Sequence, residues 1–101
     1  MSDTTFQTII DLGLQPPSMW TVVFFNDDYT PMRFVIQMLV TIFHKSTEDA
    51  QRITFAIHHE GRAQVGSYTR EVASHKADQV MWLANASQHP LQVYPERITT
   101  A

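Results

Sequence analysis

Met19-Trp20-Thr21-Val22-Val23-Phe24-Phe25-Asn26-Asp27-Asp28-Tyr29-Thr30-Pro31-Met32-Arg33-Phe34-Val35 is the stretch on which the fold turns. Residues 19 to 25 are apolar, aromatic or β-branched, bounded by Pro16-Pro17 before and by Asn26-Asp27-Asp28 after, which is the pattern of a buried strand. Thr30-Pro31 then supplies a capping hydroxyl and a first-position proline. Met32, Val35, Met38, Leu39, Ile42 and Phe43 recur at helical spacing, so a helix is expected from about residue 31 to 44. Phe34, Ile36 and Val40 lie on its other faces. A helix apolar nearly all round must be covered on more than one side, and this one is expected to be the centre of the core.

Toward the C-terminus, Ser46-Thr47-Glu48-Asp49 places a cap and two carboxylates at the positive end of a second helix. Ala50, Ile53 and Ile57 form its inner stripe until Gly61 stops it, giving a span of about 47 to 60. Arg62 to Tyr68 alternates as a strand, with Gly66 pointing to a bulge or a close approach. Thr69 with Glu71 opens a third helix reaching about residue 87, with Val72, Ala73, Lys76, Val80, Leu83 and Ala84 facing inward. Pro90 precedes a short last strand, Leu91 to Tyr94. The order β-α-α-β-α-β has too few strands for a doubly wound sheet. The expected fold is α+β, a small three-stranded antiparallel sheet with three helices packed on it.

Toward the N-terminus, residues 1 to 17 hold a short apolar patch, Gly13 and the two prolines. This segment is either a flexible extension or a short stretch that orders on a partner. The domain proper is expected to cover residues 18 to 101. A chain of 101 residues has room for one core. Seven Lys and Arg against ten Asp and Glu give a net charge of −3, and hence no basic footprint for nucleic acid. The absence of cysteine rules out disulfides, a thiolate nucleophile and sulfur-ligated metals. The longest apolar run, Phe34 to Phe43, is interrupted by Gln37 and Thr41 and falls well short of the roughly 20 residues of a membrane span. The opening Met-Ser-Asp-Thr-Thr has no secretory or transit character, so a cytoplasmic location is expected.

Two polar clusters could carry chemistry. Asn26-Asp27-Asp28-Tyr29-Thr30 reads first as a turn, with an acidic ledge for a cation or an ammonium group as the functional alternative. His58-His59-Glu60 suggests a metal site, but neighbours on a helix point about 100° apart and no histidine sits four residues from either. No metal site and no cofactor are expected. The chain lacks a Gly-x-Ser-x-Gly elbow, a phosphate loop and a His-Glu-x-x-His motif, so no catalytic residue is assigned. Met38 reads as core, whereas Met32, one residue inside the helix and beside the acidic ledge, can line a pocket with an adaptable apolar wall.

Pro16-Pro17-Ser18-Met19-Trp20, followed by Asn26-Asp27-Asp28-Tyr29-Thr30-Pro31-Met32-x-Phe34-Val35, resembles the signature of the ClpS family. These adaptors bring N-degron substrates to the bacterial Clp AAA+ protease. Ala56-Ile57-His58-x-x-Gly61, Glu71-Val72-Ala73-x-x-Lys76 and His89-Pro90-Leu91 keep the family's order and spacing, and the match covers roughly residues 16 to 96.

The resemblance implies a receptor, not an enzyme, that holds a free N-terminal Leu, Phe, Tyr or Trp. It places Asn26, Asp27 and His58 at the amine, and Met32, Val35, Thr54, Ile57 and Leu91 in the side-chain pocket, with Asp28 and Thr30 at the edge. An α-ammonium has three donors and no acceptor, so acceptors must converge on it. A histidine in that role must be neutral, so binding should weaken in acid. Burial of the side chain contributes roughly 1.5–3 kcal/mol.

Glu71 and Lys76 match positions that meet the N-terminal domain of the unfoldase, of ClpA or ClpC type, and a monomer is implied. Thr54 stands where the family commonly has a second Met. It makes the pocket either roomier or, through its hydroxyl, differently selective. An α+β interaction domain that regulates the Clp chaperone without presenting substrates is the alternative.

Overall fold

The computed structural model describes residues 12–13 and 18–99, so most of the expected 1–17 extension lies outside the described residues. Three strands and three helices follow in the expected order: β1 (Trp20–Phe25), α1 (Met32–Thr41), α2 (Thr47–Glu60), β2 (Arg62–Tyr68), α3 (Arg70–Ala86) and β3 (Gln92–Arg97). The strands form one antiparallel sheet in the order β2-β1-β3. As the central strand, β1 is buried on both faces, which explains its unbroken apolar run. Val22 and Phe24 alternate into the core beside Val65 of β2 and Val93 of β3.

The helices start and stop as their residues dictate. Ser46 accepts from the Asp49 N–H at 3.1 Å and Thr69 from the Val72 N–H at 3.3 Å, capping α2 and α3. Gly61 closes α2 in the left-handed region at φ 90°. Gly66, at φ 74°, sits where the β1–β2 register shifts by one residue, and a Cβ there would run into the Tyr68 ring. The bulge and the close approach are therefore both present.

Four local expectations are corrected. Thr30 does not cap α1. Pro31 takes the N-cap position with no side-chain hydrogen bond, and Thr30 Oγ1 has no partner among the described residues. The first helix ends at Thr41, short of residue 44, because Ile42 and Phe43 stay buried (9% and 5% exposed) in the turn that follows. Apolar spacing thus outlasts the helix. Val72 faces outward at 43% exposure, since the inner stripe of α3 runs through Ala73, Ala77, Val80 and Ala84. The last strand passes Tyr94 and continues through Pro95 to Arg97, because an edge strand tolerates a proline.

Candidate functional site

The site is built where β1 and α2 both end. The Asn26 N–H donates to the Gly61 carbonyl at 2.9 Å, pinning the loop after β1 to the cap of α2, one turn beyond His58. Asp27 then folds the loop back on itself. Its Oδ1 accepts from the Tyr29 and Thr30 N–H groups at 2.8 and 2.7 Å, an Asx turn that delivers the chain to Pro31 and the first turn of α1. Both bonds fall on Oδ1, so any further donor must approach Oδ2.

Between these elements lies a cavity of about 180 Å³. The loop gives it Asn26, Asp27, Asp28 and Thr30, and α1 gives Met32 and Val35. From α2 come Thr54, Ile57 and His58, whose spacing of three and four places them on one helix face. Leu91 closes it from the turn before β3. All ten residues expected at the amine and in the side-chain pocket therefore meet around one space.

Phe25 lines the cavity too, which the sequence reading missed. It is the strand's last residue, and being adjacent to the polar loop was the only signal available. Glu71 and Lys76 are not part of this cavity. They lie five positions apart on α3, about 140° around its axis. Glu71 is exposed, whereas Lys76 is half-buried, donates from Nζ to the Ile42 carbonyl at 2.7 Å and sits 5.5 Å from the Phe43 and Tyr68 rings.

Polarity is graded across the cavity. Asn26, Asp28 and His58 are exposed at the rim, and Asp27 is half-buried beside them. Val35, Thr54, Ile57 and Leu91 are 6%, 4%, 3% and 3% exposed. Met32, at 45%, stands between the two zones. No lysine or arginine lines the space, so the rim presents acceptors and negative charge above an apolar floor. Among the described residues, no group of three or more His, Asp or Glu side chains is placed to hold a metal ion. No helix among them is long and apolar enough to cross a membrane.

Partial burial pushes the Asp27 carboxyl up, but the Thr30 and Tyr29 N–H groups, with the nearby His89, outweigh it and hold the group below the ordinary 3.8. A depressed value adds stability above the ordinary value and loses it as pH falls through the folded one. Asp27→Asn keeps an acceptor for both amides while removing the charge. Its urea midpoint is therefore expected below that of the parent from about pH 5 to 7, with the gap closing below about pH 3.8. A gap of equal size at pH 3 would exclude the charge as its source.

A family model described as "ATP-dependent Clp protease adaptor protein ClpS" matches residues 15–94, which includes every element that forms the cavity. The chain belongs to the ClpS family. The ClpS adapter protein of Maricaulis maris (strain MCS10) is 51% identical over 81 residues, covering 80% of this chain and 74% of that one. That of Burkholderia thailandensis is 47% identical over 94 residues, or 93% of this chain and 90% of the relative. Among solved structures, Agrobacterium tumefaciens ClpS2 bound to L-phenylalaninamide superposes with a TM-score of 0.80 at 31% identity, covering 82% of this chain and all of that one. The three-helix, three-strand arrangement is thus the ClpS fold.

Proposed function

We propose that this chain is a ClpS adaptor that binds the free N-terminal residue of N-degron substrates, Leu, Phe, Tyr or Trp, and hands them to a Clp AAA+ unfoldase for degradation. The observation that carries this is the graded cavity, with acceptors at the mouth and an apolar floor. A free N-terminal residue has the matching form, an ammonium next to a hydrophobic side chain. L-phenylalaninamide, the molecule bound to the related ClpS2, carries that same pair of groups.

In this reading Asn26, Asp27 through Oδ2, and neutral His58 accept from the ammonium. Met32, Val35, Thr54, Ile57 and Leu91 enclose the side chain, and Asp28 and Thr30 edge the mouth. The adaptor works as a monomer in the cytoplasm and docks on the N-terminal domain of a ClpA- or ClpC-type unfoldase. Glu71, exposed on α3, offers its carboxylate for that docking. Lys76 serves it mainly by holding the end of α1 against α3 through Ile42, since its ammonium is already engaged.

Fluorescence anisotropy with labelled peptides that differ only in the first residue tests the proposal. Free Phe and Leu termini are expected to bind at micromolar concentration, where about −8 kcal/mol of binding free energy is needed. Ala-initiated and N-acetylated versions are expected to bind at least about tenfold more weakly, for want of the side-chain burial or the ammonium respectively. Equal binding by all of them would leave the chain an interaction domain without an N-terminal receptor site.

A further inference from the structure

Thr54 is a buried part of the cavity wall, and its hydroxyl proton is already engaged. Oγ1 donates to the Ala50 carbonyl one turn back, at 2.7 Å, using the only hydrogen it has. Toward the cavity the residue therefore has no hydrogen to donate and acts chiefly as a short wall. The surrounding floor has little slack, because Val35, Ile57 and Leu91 belong to the close-packed core. Core side chains relax only partly into a void beside them. Met32, half out in solvent at the mouth, is the apolar lining side chain with the most freedom to adjust.

The floor of the cavity consequently has a nearly fixed shape. The cavity's volume of about 180 Å³ is shared between the polar mouth and the apolar floor, and the whole is of the order of the ~150 Å³ of an apolar cavity that accepts benzene. A six-membered ring is of the size that the floor of this space can take. A leucine side chain is smaller than a ring and leaves space that rigid walls cannot close, losing contacts on that side.

We infer that the short wall at Thr54 makes this site select by volume, taking aromatic N-terminal residues in clear preference to leucine. This rests on the N-terminal receptor reading proposed above and narrows its substrate class. Thr54 is the residue that sets the preference, and the hydroxyl is not what does so.

The test titrates peptides beginning with Phe or Leu, each free and N-acetylated, against the parent, Thr54→Met and Thr54→Val. The parent is expected to favour free Phe over free Leu by about tenfold, the size of discrimination that a small difference in pocket filling supports. Thr54→Met extends the wall into the cavity and should bring that ratio toward one. Thr54→Val keeps the shape and removes the hydroxyl, so the ratio should stay within about twofold of the parent. A Phe-to-Leu ratio near one in the parent, with free peptides still outbinding acetylated ones, overturns the inference and leaves the receptor reading standing. So does a ratio that Val collapses as Met does. Equal binding of free and acetylated peptides removes both. If Thr54→Met fails to fold by circular dichroism, the parent ratio and the Val variant decide between these outcomes.

Discussion

Replacing His58 by alanine is expected to weaken binding of a Phe-initiated peptide by about 10- to 150-fold, the equivalent of roughly 1.5–3 kcal/mol for a hydrogen bond to a charged group. His58 follows the buried Ile57 on α2 and turns outward at the cavity rim, so its ring is exposed while its helix is anchored in the core. Nothing in the apolar core depends on it. The melting temperature should therefore move little, as for most exposed positions. Of the rim groups, His58 alone comes from α2; the other acceptors come from the loop. In the proposed receptor role, its loss would remove convergence on the ammonium from one side and leave the cavity floor intact. His58→Gln keeps an acceptor on a side chain of similar reach and should retain part of the affinity. Anisotropy with free and acetylated peptides separates the cases. An unchanged affinity in His58→Ala would mean the ammonium is held by the loop alone.

Leu39→Ala is expected to produce the largest stability loss, about 2–5 kcal/mol. Leu39 is fully buried in α1, within the cluster that joins all three helices to the sheet. Alanine is the best helix former, so the change leaves the helix itself favoured and isolates the cost of the void. For a domain of this size each kcal/mol lowers the melting temperature by about 4–8 °C, so a fall of at least about 8 °C is expected. Trp82→Ala serves as the control. Trp82 is larger, but it is 70% exposed, and its loss should stay within about 0.5 kcal/mol. Thermal or urea melts measure both. Comparable losses at the two positions would mean that α3 buries Trp82 in solution.

Much of this fold was legible because the residues that begin and end its elements act locally. Ser46 and Thr69 cap the helices they were expected to cap, and Gly61 ends the one it was expected to end. Each of these needs only its neighbours' N–H groups or its own backbone freedom. Where the reading slipped, a local rule met a tertiary demand. Thr30 had the right side chain for a cap, but the Asx turn through Asp27 had already satisfied its N–H and carried the helix start on to Pro31. Val72 had the right polarity for the core and lies off the stripe, because α3 meets the sheet through its alanines.

The candidate site divides in the same way. Asn26-Asp27-Asp28 and His58 are ordinary turn and helix residues when read one at a time. Resemblance to ClpS grouped them in advance, and the fold places them around one cavity because the Asn26 N–H bonds to the Gly61 carbonyl. Phe25 escaped because strand burial alone accounted for it.

By itself, then, the sequence determined the order and type of the elements, the burial of β1, and the capping chemistry of α2 and α3, all of which follow from periodicity and nearest neighbours. Tertiary structure alone decided where α1 stops, which alanines of α3 face the sheet, that Lys76 donates to the Ile42 carbonyl, and that the Thr54 hydroxyl donates to the Ala50 carbonyl. These are matters of which donor reaches which acceptor and how much space is left between packed elements. Such distances exist only once residues far apart in the chain have been brought together.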